Sequence, residues 1–455
     1  MSLQLYNTFS GKKEPFTPLQ AGKVGMYVCG VTVYDYCHVG HARVMVVFDV
    51  IYRWLKASGY DVNYVRNFTD VDDKIIARAA EQNIDIQSLT NNMIDAFHVD
   101  ADALNCLRPS LEPRATAHIP TMIRMIETLI ERQSAYVSDS GDVLYAVRSF
   151  ESYGQLSGKD IDDLESGSRV DVDHQKRDPL DFVLWKQAKE GEPSWASPWG
   201  HGRPGWHIEC SAMSCEYLGK TFDIHGGGMD LKFPHHENEI AQACAANDGE
   251  FARYWLHNGF VNINAEKMSK SLGNFFTIRE VTEKYHPEVL RMFVLGTHYR
   301  SPLDFSDAAL DASKAALNRL YETKRRIMDM PTINVEPNPS FVAALNDDFN
   351  TPEALAELFE CSRRINKALN EGQKADKDIA HFTSMTALLA ILQASSDVWF
   401  QGGIDDNHDI DTLIMERTEA KKERDFARAD AIRDKLSAQG IILEDGINGT
   451  TWKKR

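Results

Sequence analysis

The spacing of apolar residues changes twice within the first seventy positions. VGMYVCG (24–30) is a short β-rich run, HARVMVVFDVIYRWLKASGY (41–60) carries apolar residues at helical spacing as far as Gly59, and VNYVRNF (62–68) returns to strand character. This order predicts a βαβ unit, followed by a further helix over DDKIIARAAEQN (72–83). Between about 120 and 200 the pattern loosens. There YGQLSGKDIDDLESGSRVDVDHQKRDP (153–179) is polar and dotted with Gly and Ser, and reads as an insertion or an ordered surface excursion. Strand and helix signals resume in TFDIHGGGMDLKFPHHENEIAQACAA (221–246). The simplest architecture is an α/β fold: a Rossmann-like parallel-sheet catalytic domain in two halves, 1–120 and 201–305, separated by a connective insertion at 121–200.

Beyond residue 306 strands become scarce. AALDASKAALNRLYETKRRIMDM, FNTPEALAELFECSRRINKALNE and HFTSMTALLAILQASSDVWF read as a helical bundle over 306–400. After the Gly/Asp-rich QGGIDDNHD comes a charged helix and then ILEDGINGTTWKK, a hairpin candidate; together they predict a small C-terminal α+β module at 408–455.

Length and composition narrow the functional classes. A chain of 455 residues is too long for one ordinary core, so two to four domains are expected, and 43% hydrophobic content can fill them. The longest apolar run, Val44 to Val50, is interrupted by Asp49 and falls far short of the roughly 20 residues that span a bilayer, so no membrane partner is expected. MSLQLYNTFSGKKEPF lacks the apolar core and cleavage site of a secretory signal, which predicts a cytoplasmic protein. Seven cysteines, an odd number scattered along the chain, fit free thiols or metal ligands better than a disulfide framework. Fifty Lys and Arg against 67 Asp and Glu give a formal charge of -17, which argues against a sequence-independent nucleic-acid binder; an RNA partner must be met by a local basic surface.

Candidate chemistry begins where the first strand gives way to the helix. His38 and His41 bracket Gly40 there, near unpaired helical amides and the positive end of the helix dipole, where an anion binds well. Taken alone HVGH is a weak signal, because isolated histidines are more often satisfied structural groups. About 230 residues later stands KMSKS, whose Lys267 and Lys270 suit the neutralisation of phosphate charge on a short loop; a solvated basic loop is the alternative. HGGGMD (225–230) follows a strand: its glycines, Gly228 among them, leave room for a sugar or base, and Asp230 suits ribose hydroxyls, unless the segment is a tight turn. In PHHENEIAQACAA, His235 and Glu239 lie four apart on one helical face, as two ligands of a metal would. Cys29 and Cys210 are the obvious further candidates, in competition with Cys37, Cys215, Cys244, His207 and His236.

HVGH and KMSKS together resemble the class I aminoacyl-tRNA synthetases. CGVTVYDYCHVGH, NFTDVDDKI, DFVLWK, GRPGWHIECSAM, HGGGMDLKFPHHENE, EKMSKSLGNF and DDFNTPEA extend the resemblance to the cysteinyl-tRNA synthetase family, from the N-terminus to the last helices. One departure in the first signature is Val39, where the family more often has isoleucine. The resemblance implies ATP-dependent activation of L-cysteine and its transfer to tRNA(Cys), with Mg2+ on the triphosphate. It also implies one Zn2+ per chain, held by Cys29, Cys210, His235 and Glu239, that reads the substrate thiol. His38, His41 and Lys270, with Lys267 assisting, are then expected on phosphate, and Thr69 and Trp206 around the amino acid; a turn residue and a core tryptophan are the bland alternatives for those two. A cysteine ligase acting on a small amine is the rival reading, and about 150 residues of C-terminal helical and basic sequence argue against it. A monomer is expected.

At the tRNA end, a single helix over 413–437 projects Arg417, Lys421, Arg424, Arg428 and Lys435 into an arc of about 60°, with most acids opposite. Phosphate binding and a salt-bridged solvated face both explain this sorting. Trp452, beside three cations in the tail, suits stacking on an unpaired base or, alternatively, plugging a small core.

Overall fold

The structure is a computed structural model. It describes residues 2–160, 176–263, 266–267, 275–331, 333–401, 407–438, 440–446 and 449–454. Two compact units are distinguished, Met1–Ser313 with Pro337–Leu358, and Lys314–Glu336 with Phe359–Arg455.

In the first unit, a hairpin of β1 (Gln4–Asn7) and β2 (Lys12–Pro15) precedes the βαβ unit read from the sequence: β3 (Lys23–Thr32), the helix Val39–Ala57 and β4 (Asp61–Thr69). His38 caps that helix, since its Nδ1 accepts from the Gly40 amide at 3.1 Å while His41 Nδ1 accepts from the His38 amide at 3.2 Å. Apolar side chains surround the helix on most sides, from Val39 and Ala42 to Phe48 and Leu55, as expected of a helix embedded in the domain rather than laid on its surface. β9 (Phe222–Gly228) and β10 (Ala252–Asn258) complete a wholly parallel sheet in the order β10-β9-β3-β4. Strand order reverses between β3 and β9, and a parallel sheet opens a crevice at such a point, beyond the strand C-termini. Those C-termini are Cys29–Thr32 and Gly226–Gly228.

The segment expected as an insertion is built more tightly than its polar sequence suggested. After the helix Ile119–Glu131, β5 (Ala135–Val137), β6 (Val143–Tyr145), β7 (Phe182–Gln187) and β8 (Gly202–Pro204) form an antiparallel sheet in sequential order. Val143, Tyr145, Leu184 and Trp185 share one continuous core with Tyr27, Cys29 and Cys210. Tyr145 donates its hydroxyl to the Ala241 carbonyl at 2.9 Å. Three of the sheet's four strands have only three residues, too few to show a period of two, which explains the weak pattern. Residues 161–175, the most polar part, lie outside the described residues.

β11 (Val261–Ile263), β12 (Glu266–Lys267) and β13 (Leu303–Phe305) form a small sheet in the order β12-β11-β13. The second unit is helical, as expected, with Tyr321 and Trp399 stacked at 4.3 Å in its interior. It ends in the helices Asn407–Lys422 and Phe426–Ala438 and an antiparallel hairpin of β14 (Ile441–Gly446) and β15 (Gly449–Lys454).

This C-terminal module corrects three readings. The single helix over 413–437 is broken: Arg424 adopts the left-handed region with φ of 62°, so the five cations do not share one projected arc. Arg417 is 6% exposed and holds Asp445 with two hydrogen bonds of 2.9 and 3.0 Å, and Lys421 adds a third at 2.7 Å; both cations are engaged with a carboxylate. Trp452 is 4% exposed and packs with Ile410, Ile414, Ile432, Leu436 and Ile441. It is the plug of a small core, because a hairpin laid against two helices must cover their apolar faces.

Candidate active site and metal centre

Four buried side chains converge beside the C-terminal end of β3. Cys29 comes from that strand, Cys210 from the helix Trp206–Leu218, and His235 and Glu239 from the segment entering the helix Glu237–Asn247; their ligand atoms all lie within 4.8 Å of one another. His235 Nε2 is 3.0 Å from Glu239 Oε1, and Cys29 Sγ is 3.3 Å from the same oxygen. Two sulfurs, an imidazole nitrogen and a carboxylate oxygen suit a tetrahedral ion with bonds of about 2.0–2.3 Å, whose ligand atoms stand about 3.5 Å apart. The residues present therefore fit such a metal. Among the described residues only one other grouping of this kind occurs, Cys29, His225, His236 and Glu239, and it shares two members.

An outer layer orients these donors. Glu239 Oε2 meets His225 Nε2 at 2.9 Å, His235 Nδ1 meets His207 Nδ1 at 2.8 Å, and Trp206 stacks on the His235 ring at 4.2 Å. His236, a rival ligand by sequence, turns its Nδ1 to His257 Nε2 at 2.8 Å. Electrostatics follow from burial and contact. Burial pushes the Glu239 carboxyl up, but His225 and His235 outweigh it and hold the group well below the usual range. Burial likewise opposes charge on Cys210, yet its hydrogen bonds with Cys29 and His235 bring the thiol down to about 6. Burial, Cys210 and Glu239 raise the Cys29 thiol.

The same place opens on a cavity of about 450 Å³ whose walls include Cys29, Gly30, His38, Gly40, His41, Trp206, Gly228 and Asp230. Segments nearly 200 residues apart thus meet at the sheet's reversal point. The imidazoles of His38 and His41 stack at 3.8 Å. Gly30 is held where a Cβ would sit 1.6 Å from the Asn67 carbonyl oxygen, and its amide donates to Asn67 Oδ1 at 2.8 Å. Just beyond KMSKS, the Val39 amide donates to the Phe276 carbonyl at 3.0 Å and the Ile278 amide to the Cys37 carbonyl at 2.9 Å, so the flank of the second signature is bonded to the first. Lys267 lies on β12; its side chain and the whole of Lys270 fall outside the described residues. Thr69 is not on the cavity wall: it is 2% exposed and donates its hydroxyl to Glu209 Oε2 at 2.6 Å. Sequence reasoning missed Asn67, Glu209 and His225. His225 stood in the quoted HGGGMD, but nothing in a glycine run tells which way a histidine beside it faces.

A family model described as "tRNA synthetases class I (C) catalytic domain" matches residues 15–315, and one described as "DALR domain" matches residues 340–394. Cysteine–tRNA ligase of Thioalkalivibrio sulfidiphilus is 56% identical over 458 residues, covering 99% of this chain and 100% of that protein. The chain belongs to the cysteine–tRNA ligase family. Another member, from Neisseria meningitidis serogroup B, is 54% identical over 99% of both chains. Among solved structures, Mycobacterium tuberculosis methionyl-tRNA synthetase in complex with methionyl-adenylate matches with a TM-score of 0.56 and 15% identity, over 90% of this chain and 96% of that one. A ternary complex of Agrobacterium radiobacter LeuRS, tRNA and LeuAMS matches at 0.59 and 12% identity, over 82% and 84%. These likenesses establish a class I synthetase fold for this chain, and its parallel sheet with a helical C-terminal region accords with them.

Proposed function

We propose that the protein activates L-cysteine with ATP to cysteinyl-adenylate and transfers the cysteinyl group to the 3′ end of tRNA(Cys). The observation that carries the reading is the opening of the Cys29 cluster and the HVGH turn onto one cavity. Cys29, Cys210, His235 and Glu239 would hold Zn2+. A bound zinc favours thiolate over hydroxyl and so separates cysteine from serine, near-isosteres that a cavity without metal distinguishes poorly.

The carboxylate of cysteine is already ionised at neutral pH and attacks the α-phosphate of ATP, so the protein need supply no nucleophile. Its task is alignment and charge neutralisation. His38 and His41 contact phosphate at the start of the helix, Lys270 faces the charge developing on pyrophosphate with Lys267 assisting, and Mg2+ accompanies the triphosphate. Gly228 and Asp230 border the nucleoside, and Trp206 covers the amino acid beside His235. The ribose of the tRNA 3′ end then attacks the mixed anhydride and AMP leaves. The helical bundle (306–400) and the C-terminal module (408–455) take the tRNA, with Arg424 and Arg428 as phosphate contacts. We place the enzyme in the cytoplasm as a monomer.

The test is cysteine-dependent ATP–pyrophosphate exchange with serine as competitor, before and after zinc removal. Exchange in the zinc-loaded protein that serine barely supports, and that is lost on metal removal and restored by zinc, is the expected result. Exchange that is indifferent to zinc, or equal with serine, overturns the reading.

A further inference from the structure

Arg43 follows the HVGH turn by two residues and is 1% exposed, yet among the described residues no carboxylate pairs with it. Its guanidinium is spent on backbone carbonyls. Nη1 donates to Phe260 O at 2.7 Å, and Nη2 donates to Tyr299 O at 3.0 Å, to His298 O at 3.4 Å and, closely, to Ser301 O. Nε finds no partner. Burying a cation without a counter-charge is expensive, and four carbonyl dipoles turned on one group are the compensation. Burial lowers the group only to about 10, so it stays protonated at neutral pH.

The carbonyls it gathers belong to two segments that must meet. Asn258, Gly259, Phe260 and Val261 form one wall of the cavity, and Val261 begins β11, which pairs with the β12 strand carrying Lys267. Behind that wall runs 298–301. The Gly259 amide donates to Tyr299 O at 2.8 Å, and a Cβ on Gly259 would come within 2.5 Å of Ser301 O. Residues 298–301 are themselves fixed from the far side, because Tyr299 Oη at 2.8 Å and Arg300 Nε at 2.6 Å both donate to Asp348. Only a planar fork with several donors reaches four carbonyls at once; an ammonium is a point.

We propose that Arg43 is a positioning residue which locks the 258–261 wall to the HVGH helix, and so sets the width of the nucleotide end of the cavity without touching ATP. This rests on the reading of the cavity as an ATP and cysteine site. Cysteine recognition, read at Cys29 and Trp206, involves none of the segments that Arg43 joins.

The test compares Arg43→Lys and Arg43→Met with wild type by the Kd for ATP in calorimetry and by the KM values for ATP and cysteine in pyrophosphate exchange. Arg43→Lys should raise both ATP constants about tenfold and Arg43→Met further, with zinc content and the cysteine KM within twofold. A folded Arg43→Lys protein whose ATP constants stay within twofold of wild type overturns the proposal, as does a parallel rise in the cysteine and ATP constants. Arg43→Lys keeps the charge and decides the matter where Arg43→Met does not fold. A wild-type protein without cysteine-dependent exchange would refute the functional reading instead, and the ATP Kd then judges Arg43 by itself.

Discussion

Cys210 is one of the two sulfurs among the four side chains that converge on the proposed metal site. Its thiol is drawn below the usual thiol range by Cys29 and His235 against the pull of burial, the direction a metal-binding thiolate needs. Cys210→Ser replaces a soft ligand with a hydroxyl that binds zinc poorly. We expect bound zinc to fall below half and discrimination against serine to weaken at least tenfold, read by elemental analysis and exchange kinetics; unchanged metal would remove Cys210 from the ligand set. His235 and Glu239 were legible because helical spacing puts residues four apart on one face. Cys29 and Cys210 were legible as candidates only, since folding alone decides which of seven cysteines meet. His225 and Asn67 escaped because each acts through a neighbour's side chain or backbone, a relation with no sequence spacing.

The C-terminal helices and hairpin turn on the Asp445 carboxylate. Arg417, Lys421 and Thr450 donate to it and hold it well below the usual carboxylate range. A depressed acid stabilises the fold above its unfolded pKa, and that contribution is lost as pH falls through the folded value. Asp445 is half-exposed, so Asp445→Asn should cost only about 1 kcal/mol, visible as faster amide exchange across residues 441–454. Arg424 and Arg428 are the cations we propose for RNA, Arg428 standing 3.8 Å from Glu416 on an exposed face where such a pair exchanges readily with phosphate: reversing both to Glu should raise KM for tRNA at least tenfold and leave adenylate synthesis unchanged, and an unaltered KM would contradict it. The break between the two helices has no Gly or Pro to announce it. Asp425 does signal it, for its side chain accepts from the Arg428 amide at 3.1 Å as a helix cap, and capping residues inside an unbroken projection are easily passed over. Trp452 was left between stacking on a base and plugging a core for a similar reason: tail composition says nothing of what a hairpin covers.

Across the whole molecule, buried histidines add to the response to acid. Burial, with His235 beside one and His225 beside the other, lowers His207 and His257 to about 3. The unfolded chain titrates near 6.5, so below that pH protons favour unfolding. Stability should fall by up to ~1.4 kcal/mol per pH unit for each ring, until the folded rings charge near pH 3. Urea midpoints at pH 7.5, 6 and 5 check this, and a level or rising midpoint on acidification would count against neutral burial. The parallel sheet and helical region were readable because long periodic segments carry their own evidence in apolar spacing, whereas the antiparallel sheet, made of short strands, was not. That sheet has a further consequence. Because one hydrophobic interior runs unbroken from Trp185 to Cys29 and Cys210, trimming residues 121–200 to make a minimal enzyme would strip the floor from beneath the two cysteines proposed to hold its metal, and a surgeon looking for a dispensable appendix would find a foundation wall.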